Sequence, residues 1–184
     1  VSGNADGPAA EATLKTPKDL VCDANNVLYV VQQYNSNVIR IVTPVPFQPQ
    51  NKEELQAAVD LWVSDQASAE STYGHISGWD VSAVTDMSNL FDNKITFNDD
   101  IGSWDVSNVT NMFQMFIFAD SFNQSLNNWD VSNVTTLEGM FFSADSFNGD
   151  ISGWNVGNVT NMQQTFDYTP FAQDISGWDV SSVT

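Results

Sequence analysis

The stretch "IGSWDVSNVTNMFQMF", Ile101–Phe116, decides how this chain is read, because its central words return at fixed intervals. "GWDVSAVTDM" begins at Gly78, "SWDVSNVTNM" at Ser103, "NWDVSNVTTL" at Asn128, "GWNVGNVTNM" at Gly153 and "GWDVSSVT" at Gly177. Their tryptophans, Trp79, Trp104, Trp129, Trp154 and Trp178, are 25, 25, 25 and 24 residues apart. A period of this size is the mark of a stacked repeat array.

One copy carries two apolar periods. Trp104 and Val106 flank Asp105, the alternation of a strand. Met112, Met115, Phe116 and Ala119 follow the i, i+3, i+4, i+7 spacing of one helix face, and Thr110 stands where an N-cap would. Each repeat therefore predicts a short strand, a bend, a short helix and a return loop. The other copies keep the same columns: Ile76, Ile101, Leu126, Ile151 and Ile175; Val81, Val106, Val131, Val156 and Val180; Phe97, Phe122, Phe147 and Phe171. One such unit has too few apolar side chains to offset the entropy of ordering its backbone, so it must lean on its neighbours. The Trp recurs because it is a rung, packed between the Trp of the copy before and the copy after.

Upstream, "NKEELQAAVDLWV", Asn51–Val63, carries a capping-box start at Asn51 and Glu54 and a single apolar stripe of Leu55, Ala58, Val59 and Trp62. It predicts a helix sealing the first rung. No matching seal follows Val180, and the chain opens on Val1, so the expectation is a processed form or a piece of a longer protein with further repeats or a partner beyond.

The repeat "WDVSNVTNMxxMFxxAxxFNxxIxxW" closely resembles the BspA-like surface-protein repeat, a leucine-rich-repeat relative, over about residues 50–184. Gly157, Asn155 and Ala172 depart from its pattern. The resemblance implies secreted or cell-surface proteins of adhesion or matrix building, and no catalytic residues. Residues 1–42, with "TPKDLVCDANNVLYVVQQYNSNVIRIV", resemble a single NHL-type propeller blade through Pro17, Asp23, Leu28, Tyr29, Val30, Asn35, Ile39 and Arg40. The expected fold class is thus an α/β solenoid: a leucine-rich-repeat-like stack of strand–bend–short-helix units with a parallel sheet and an N-terminal helical cap, preceded by a small antiparallel β segment. The expected domains are a β-meander at 1–46, a Pro-rich connector and capping helix at 47–75, and about four repeats plus the start of a fifth at 76–184.

Charge narrows the partners. The chain carries a formal −18, of which residues 1–46 contribute −1 and residues 47–184 the remaining −17. Such a field repels nucleic acid and anionic membrane, and no apolar run is long enough for direct membrane insertion. Stacking would turn Asp80, Asp105, Asp130, Asn155 and Asp179 into an acidic row on the open face of the sheet. Carboxylates about 5 Å apart repel by roughly 1 kcal/mol in water. Diffuse counterions or a bound cation would relieve them, and Ca²⁺ at Asp105 and Asp130 is the ion the oxygen-rich row would take. A second polar row runs His75, Asp100, Ser125, Asp150 and Asp174. Asn108, Asn133 and Asn158 each begin Asn-Val-Thr and Asn123 begins Asn-Gln-Ser, so all four are glycosylation sequons; the first three also suit an internal amide ladder.

No Gly-rich phosphate loop, metal-spaced His/Cys set or Ser/His/Asp group is present, and the lone Cys22 forms no internal disulfide. The expectation is a non-enzymatic extracellular or cell-surface structural or adhesive module, part of a larger assembly, whose partners are proteins (itself or other surface proteins) or polysaccharide. The alternative is a carbohydrate- or protein-ligand recognition module using the acidic open face.

Overall fold

The structure, a computed structural model, describes residues 7–8, 17–22, 28–33, 37–43 and 46–184. The chain divides into two compact units, Val1–Pro46 and Phe47–Thr184.

The first unit holds four strands: β1 (Gly7–Pro8), β2 (Pro17–Cys22), β3 (Leu28–Gln33) and β4 (Asn37–Thr43). They pair in the order β1-β4-β3-β2. β2, β3 and β4 form an antiparallel meander, and β1 joins the edge of β4 in parallel. β4 is mostly β-branched, a residue type that favours strands. Of the residues that resemble an NHL blade, Asp23 and Asn35 lie outside the described residues.

The second unit opens with α1 (Lys52–Ser64) and α2 (Gln66–Tyr73). Asn51 caps α1 by accepting the Glu54 backbone N–H at 3.0 Å, and Glu54 reaches back to the Gln50 N–H at 2.9 Å. Leu55, Ala58, Val59 and Trp62 are buried. The Trp62 ring meets Trp79 edge-on at 5.9 Å, and its indole N–H donates to Asp99 at 3.0 Å. Asp65 ends α1 and caps α2 through the Ser68 N–H at 3.1 Å.

From His75 onward the expected architecture does not form. Among the described residues of the repeats there is no α-helix and no β-strand beyond isolated parallel bridges, Asp86 to Asn111, Asn111 to Thr136 and Thr136 to Asn161. An α/β solenoid with a parallel sheet is therefore overturned. The rungs are chains of turns. In Met112–Ala119 the N–H groups of Met112, Gln114, Phe116 and Phe118 donate across to Thr136, Glu138, Met140 and Phe142 at 2.8–3.3 Å. Those of Met115, Ile117 and Ala119 turn back three residues, to Met112, Gln114 and Phe116. A helix would send every N–H to i−4 and leave none for a neighbour. Here half the donors close turns and half bind the next rung. The left-handed residues that allow this are Gln114 (φ 52°) and Phe118 (φ 55°).

The apolar columns fill the interior. Trp104, Val106, Val109, Met112, Met115, Phe116, Ala119 and Phe122 are all buried, as are their counterparts one rung on. Indole rings stack at 6.3 Å (Trp79–Trp104), 6.4 Å (Trp129–Trp154) and 6.1 Å (Trp154–Trp178). Two phenylalanine files lie beside each other, Phe116 over Phe122 at 4.1 Å and Phe141 over Phe147 at 3.7 Å.

Candidate functional site

A short acidic or amide side chain can bend back to accept the N–H two residues on, closing a turn of its own. Three columns of this protein do so. In the row expected to be open and acidic, the side chains of Asp80, Asp105, Asp130, Asn155 and Asp179 accept the N–H groups of Ser82, Ser107, Ser132, Gly157 and Ser181 at 3.0–3.3 Å. His75, Asp100, Ser125, Asp150 and Asp174 do the same for the second row, at 2.8–3.5 Å. Asp86, Asn111, Thr136 and Asn161 make a third row, at 2.8–3.2 Å, that sequence reading missed. The acidic row is thus no open sheet face. It is a set of turn braces, because the residue between Trp and Val sits at a corner rather than in a strand.

The braces leave an electrostatic mark. The Ser107 hydroxyl, and then its backbone N–H, hold the Asp105 carboxyl below the usual carboxylate range against burial and the charge of Asp130. Ser132 and Ser181 act likewise on Asp130 and Asp179. For Asp150 and Asp174 the backbone N–H groups of Ser152 and Ser176 lead, followed by their hydroxyls. Hydrogen bonds to the ionised form favour it. Among the described residues no three His, Cys, Asp or Glu side chains gather as a metal-holding group, so Asp105 and Asp130 have no third ligand of that kind.

The sequon asparagines divide by atom. Asn108, Asn133 and Asn158 donate through Nδ2 to the carbonyls of Ser82, Ser107 and Ser132 in the preceding rung, at 2.9, 2.8 and 2.7 Å. Asn123 belongs to another ladder and uses its oxygen: Asn98, Asn123 and Asn148 accept through Oδ1 the N–H groups of Asn123, Asn148 and Ala172 at 2.8–2.9 Å.

One surface feature does no bracing. Phe118 meets Phe142 edge-on at 5.7 Å, and Phe142 meets Tyr168 at 5.3 Å, while Phe118 and Tyr168 are 39% and 76% exposed. The readable signal was a column that goes Asn93, Phe118, Ser143, Tyr168, aromatic only in alternate rungs.

A family model described as "Mycoplasma protein of unknown function, DUF285" matches residues 62–178 and again 156–184. The chain belongs to this family. The DUF285 match takes in every braced row and the aromatic edge, and it is compatible with the BspA-like surface repeat and a non-enzymatic surface module. It lies outside residues 1–46, so the NHL-blade likeness there gains nothing from it. Searches of curated proteins and of solved structures returned no match. Among the described residues no helix is long and apolar enough to cross a membrane.

Proposed function

We propose that this DUF285 chain is a non-enzymatic structural module of a cell surface, a scaffold of stacked turns that holds partner-binding groups away from the cell. The observation that carries this reading is the use of its polar columns. The side chains that a sequence search would nominate for chemistry, Asp105, Asp130 and Asp150 among them, are committed to backbone N–H groups. A catalytic pair of carboxylates needs two distinct environments. Here the environments repeat, as support for a scaffold would. Proteins, including other copies, or polysaccharide are the partner classes, and the −18 charge sets the chain against nucleic acid.

The test is protease shaving of intact cells that produce the protein, read by mass spectrometry. Peptides from residues 76–184 should be released without lysis. Their release only after lysis would overturn the surface assignment. A second reading, recognition of a protein ligand, is favoured by the exposed rings of Phe118 and Tyr168 with the half-buried Phe142 between them.

A further inference from the structure

The aromatic edge costs the fold something. Phe118 and Tyr168 sit at φ 55° and 59°, the left-handed region that bulky residues avoid. Asn93 and Ser143 fill the same column in the other two rungs at φ 56° and 52°, so the turn does not require a ring. Large side chains held in a sparsely populated conformation and turned toward solvent point to a use outside the core. Backbone bonds set the rings side by side: the Phe118 N–H donates to the Phe142 carbonyl at 2.9 Å, and the Ser143 N–H, next in chain to Phe142, donates to Asp167, next to Tyr168. The two edge-on contacts, at 85° and 75°, turn successive ring faces in different directions.

The surroundings choose the partner. Residues 47–184 contain 19 carboxylates and only two basic side chains, Lys52 and Lys94. Both are engaged, Lys52 with Asp86 and Lys94 with Asp60. Asp167 adjoins Tyr168 in the chain, Asp120 follows Phe118 by two residues, and Asp92 precedes Asn93, whose N–H bonds to Ile117. Aromatic faces bordered by uncompensated carboxylates suit long cationic side chains, whose stems lie on rings while guanidinium or ammonium heads meet π-faces and carboxylates. We propose that Phe118, Phe142 and Tyr168 form a docking edge for an Arg- or Lys-bearing segment of a partner protein. This rests on the recognition reading above and names its partner class.

The test uses the full chain and a fluorescein-labelled arginine-rich peptide, with its citrulline counterpart and a neutral oligosaccharide alongside. Anisotropy titrations are run at ordinary and at raised salt, where long-range attraction to the acidic surface is screened. The arginine peptide should keep salt-resistant binding, and Phe118→Asn with Tyr168→Asn should weaken it about tenfold. The melting temperature of that variant should hold or rise, because Asn suits the left-handed region. If the double variant unfolds, Phe142→Ile, which borrows the residue found at Ile117 in the same column, supplies the same readout. Equal binding by wild type and ring variants would overturn the proposal. So would binding of the citrulline peptide or the oligosaccharide as tight as that of the arginine peptide, or no salt-resistant binding at all. Any of these leaves the shaving result standing, so the two failures are separable.

Discussion

The indole N–H of Trp129 donates at 3.0 Å to the carbonyl of Ile101, a residue 28 positions earlier and one rung below. The same carbonyl accepts the Trp104 backbone N–H at 3.1 Å, so one oxygen ties its own corner and the rung above. Trp104 and Trp154 repeat the bond to Ile76 and Leu126. A ring with a donor at this place explains tryptophan rather than phenylalanine at these three rungs, whereas the Trp178 indole N–H is buried without a partner among the described residues. Trp129→Phe removes the bond, worth about 1 kcal/mol, and some packing, for an expected loss of about 2–3 kcal/mol. Trp129→Ala should cost about 3–5 kcal/mol. Urea unfolding followed by circular dichroism measures both, and a phenylalanine variant as stable as wild type would remove the bond's importance.

The Asn133 amide should matter through its hydrogen rather than its shape. Asn133→Asp sets a carboxylate against the Ser107 carbonyl in place of the 2.8 Å donor. A loss of about 1–2 kcal/mol is expected at neutral pH, shrinking in acid as the carboxyl regains a proton to donate. A variant whose deficit does not depend on pH would contradict this geometry.

The braced carboxylates give the folded state an acid limit. Asp105, Asp130, Asp150, Asp174 and Asp179 have folded pKa values below the ordinary one. The unfolded chain therefore binds more protons in acid, and stability falls as pH falls. The contribution is complete above the ordinary aspartate value of about 3.9 and is lost as pH drops through the lowered folded values. Asp130→Asn keeps an acceptor, as Asn155 does in its own turn, and should flatten the acid limb slightly while leaving the neutral midpoint nearly unchanged. Midpoints measured in urea between pH 2.5 and pH 7, a range set by about 3.9, would decide it.

Gly149 is a packing site. A Cβ there would lie 2.2 Å from the Gln124 carbonyl oxygen, whereas a Cβ at Gly177 meets nothing within 4 Å. Gly149→Ala should destabilise by about 1–3 kcal/mol or more, and Gly177→Ala by less than about 0.5 kcal/mol. Equal thermal shifts for the two would refute the close approach.

Glycan attachment should separate the sequons. N-glycosylation uses Nδ2, the atom by which Asn108, Asn133 and Asn158 hold the rung below. Asn123 works through Oδ1 instead. Expressed through a glycosylating secretory pathway, the protein should carry its highest occupancy at Asn123, as read by glycopeptide mass spectrometry. Higher occupancy at Asn133 would argue that its ladder bond is dispensable.

The inward-facing residues were legible, because a fixed period puts each apolar residue in a column whatever the backbone does. Trp104, Val106 and Val109 needed no further information. The secondary structure was not legible. Alternation at Trp104, Asp105 and Val106 fits a strand, but a corner braced by its middle residue places the same two side chains inward. The helical spacing from Met112 to Ala119 misled in the same way, since turns that close every three residues also return side chains to one face. The contrary signal was present in the density of Asp, Asn and Ser, which favour turns over either regular element. Asp86, Asn111, Thr136 and Asn161 carry that signal, one short polar side chain per rung at the start of each run of turns.

A brace needs an acceptor at the right reach, not a charge. Asn155 and Asn161 hold their turns as the aspartates do, Ser125 and Thr136 manage with hydroxyls, and His75 with a ring nitrogen. Architecture and isoelectric point are therefore independent variables in this molecule. A recoded chain with asparagine at its braced corners would keep the same coil while shedding much of its anionic character, so the acidity it carries is a setting of the surface rather than a condition of folding.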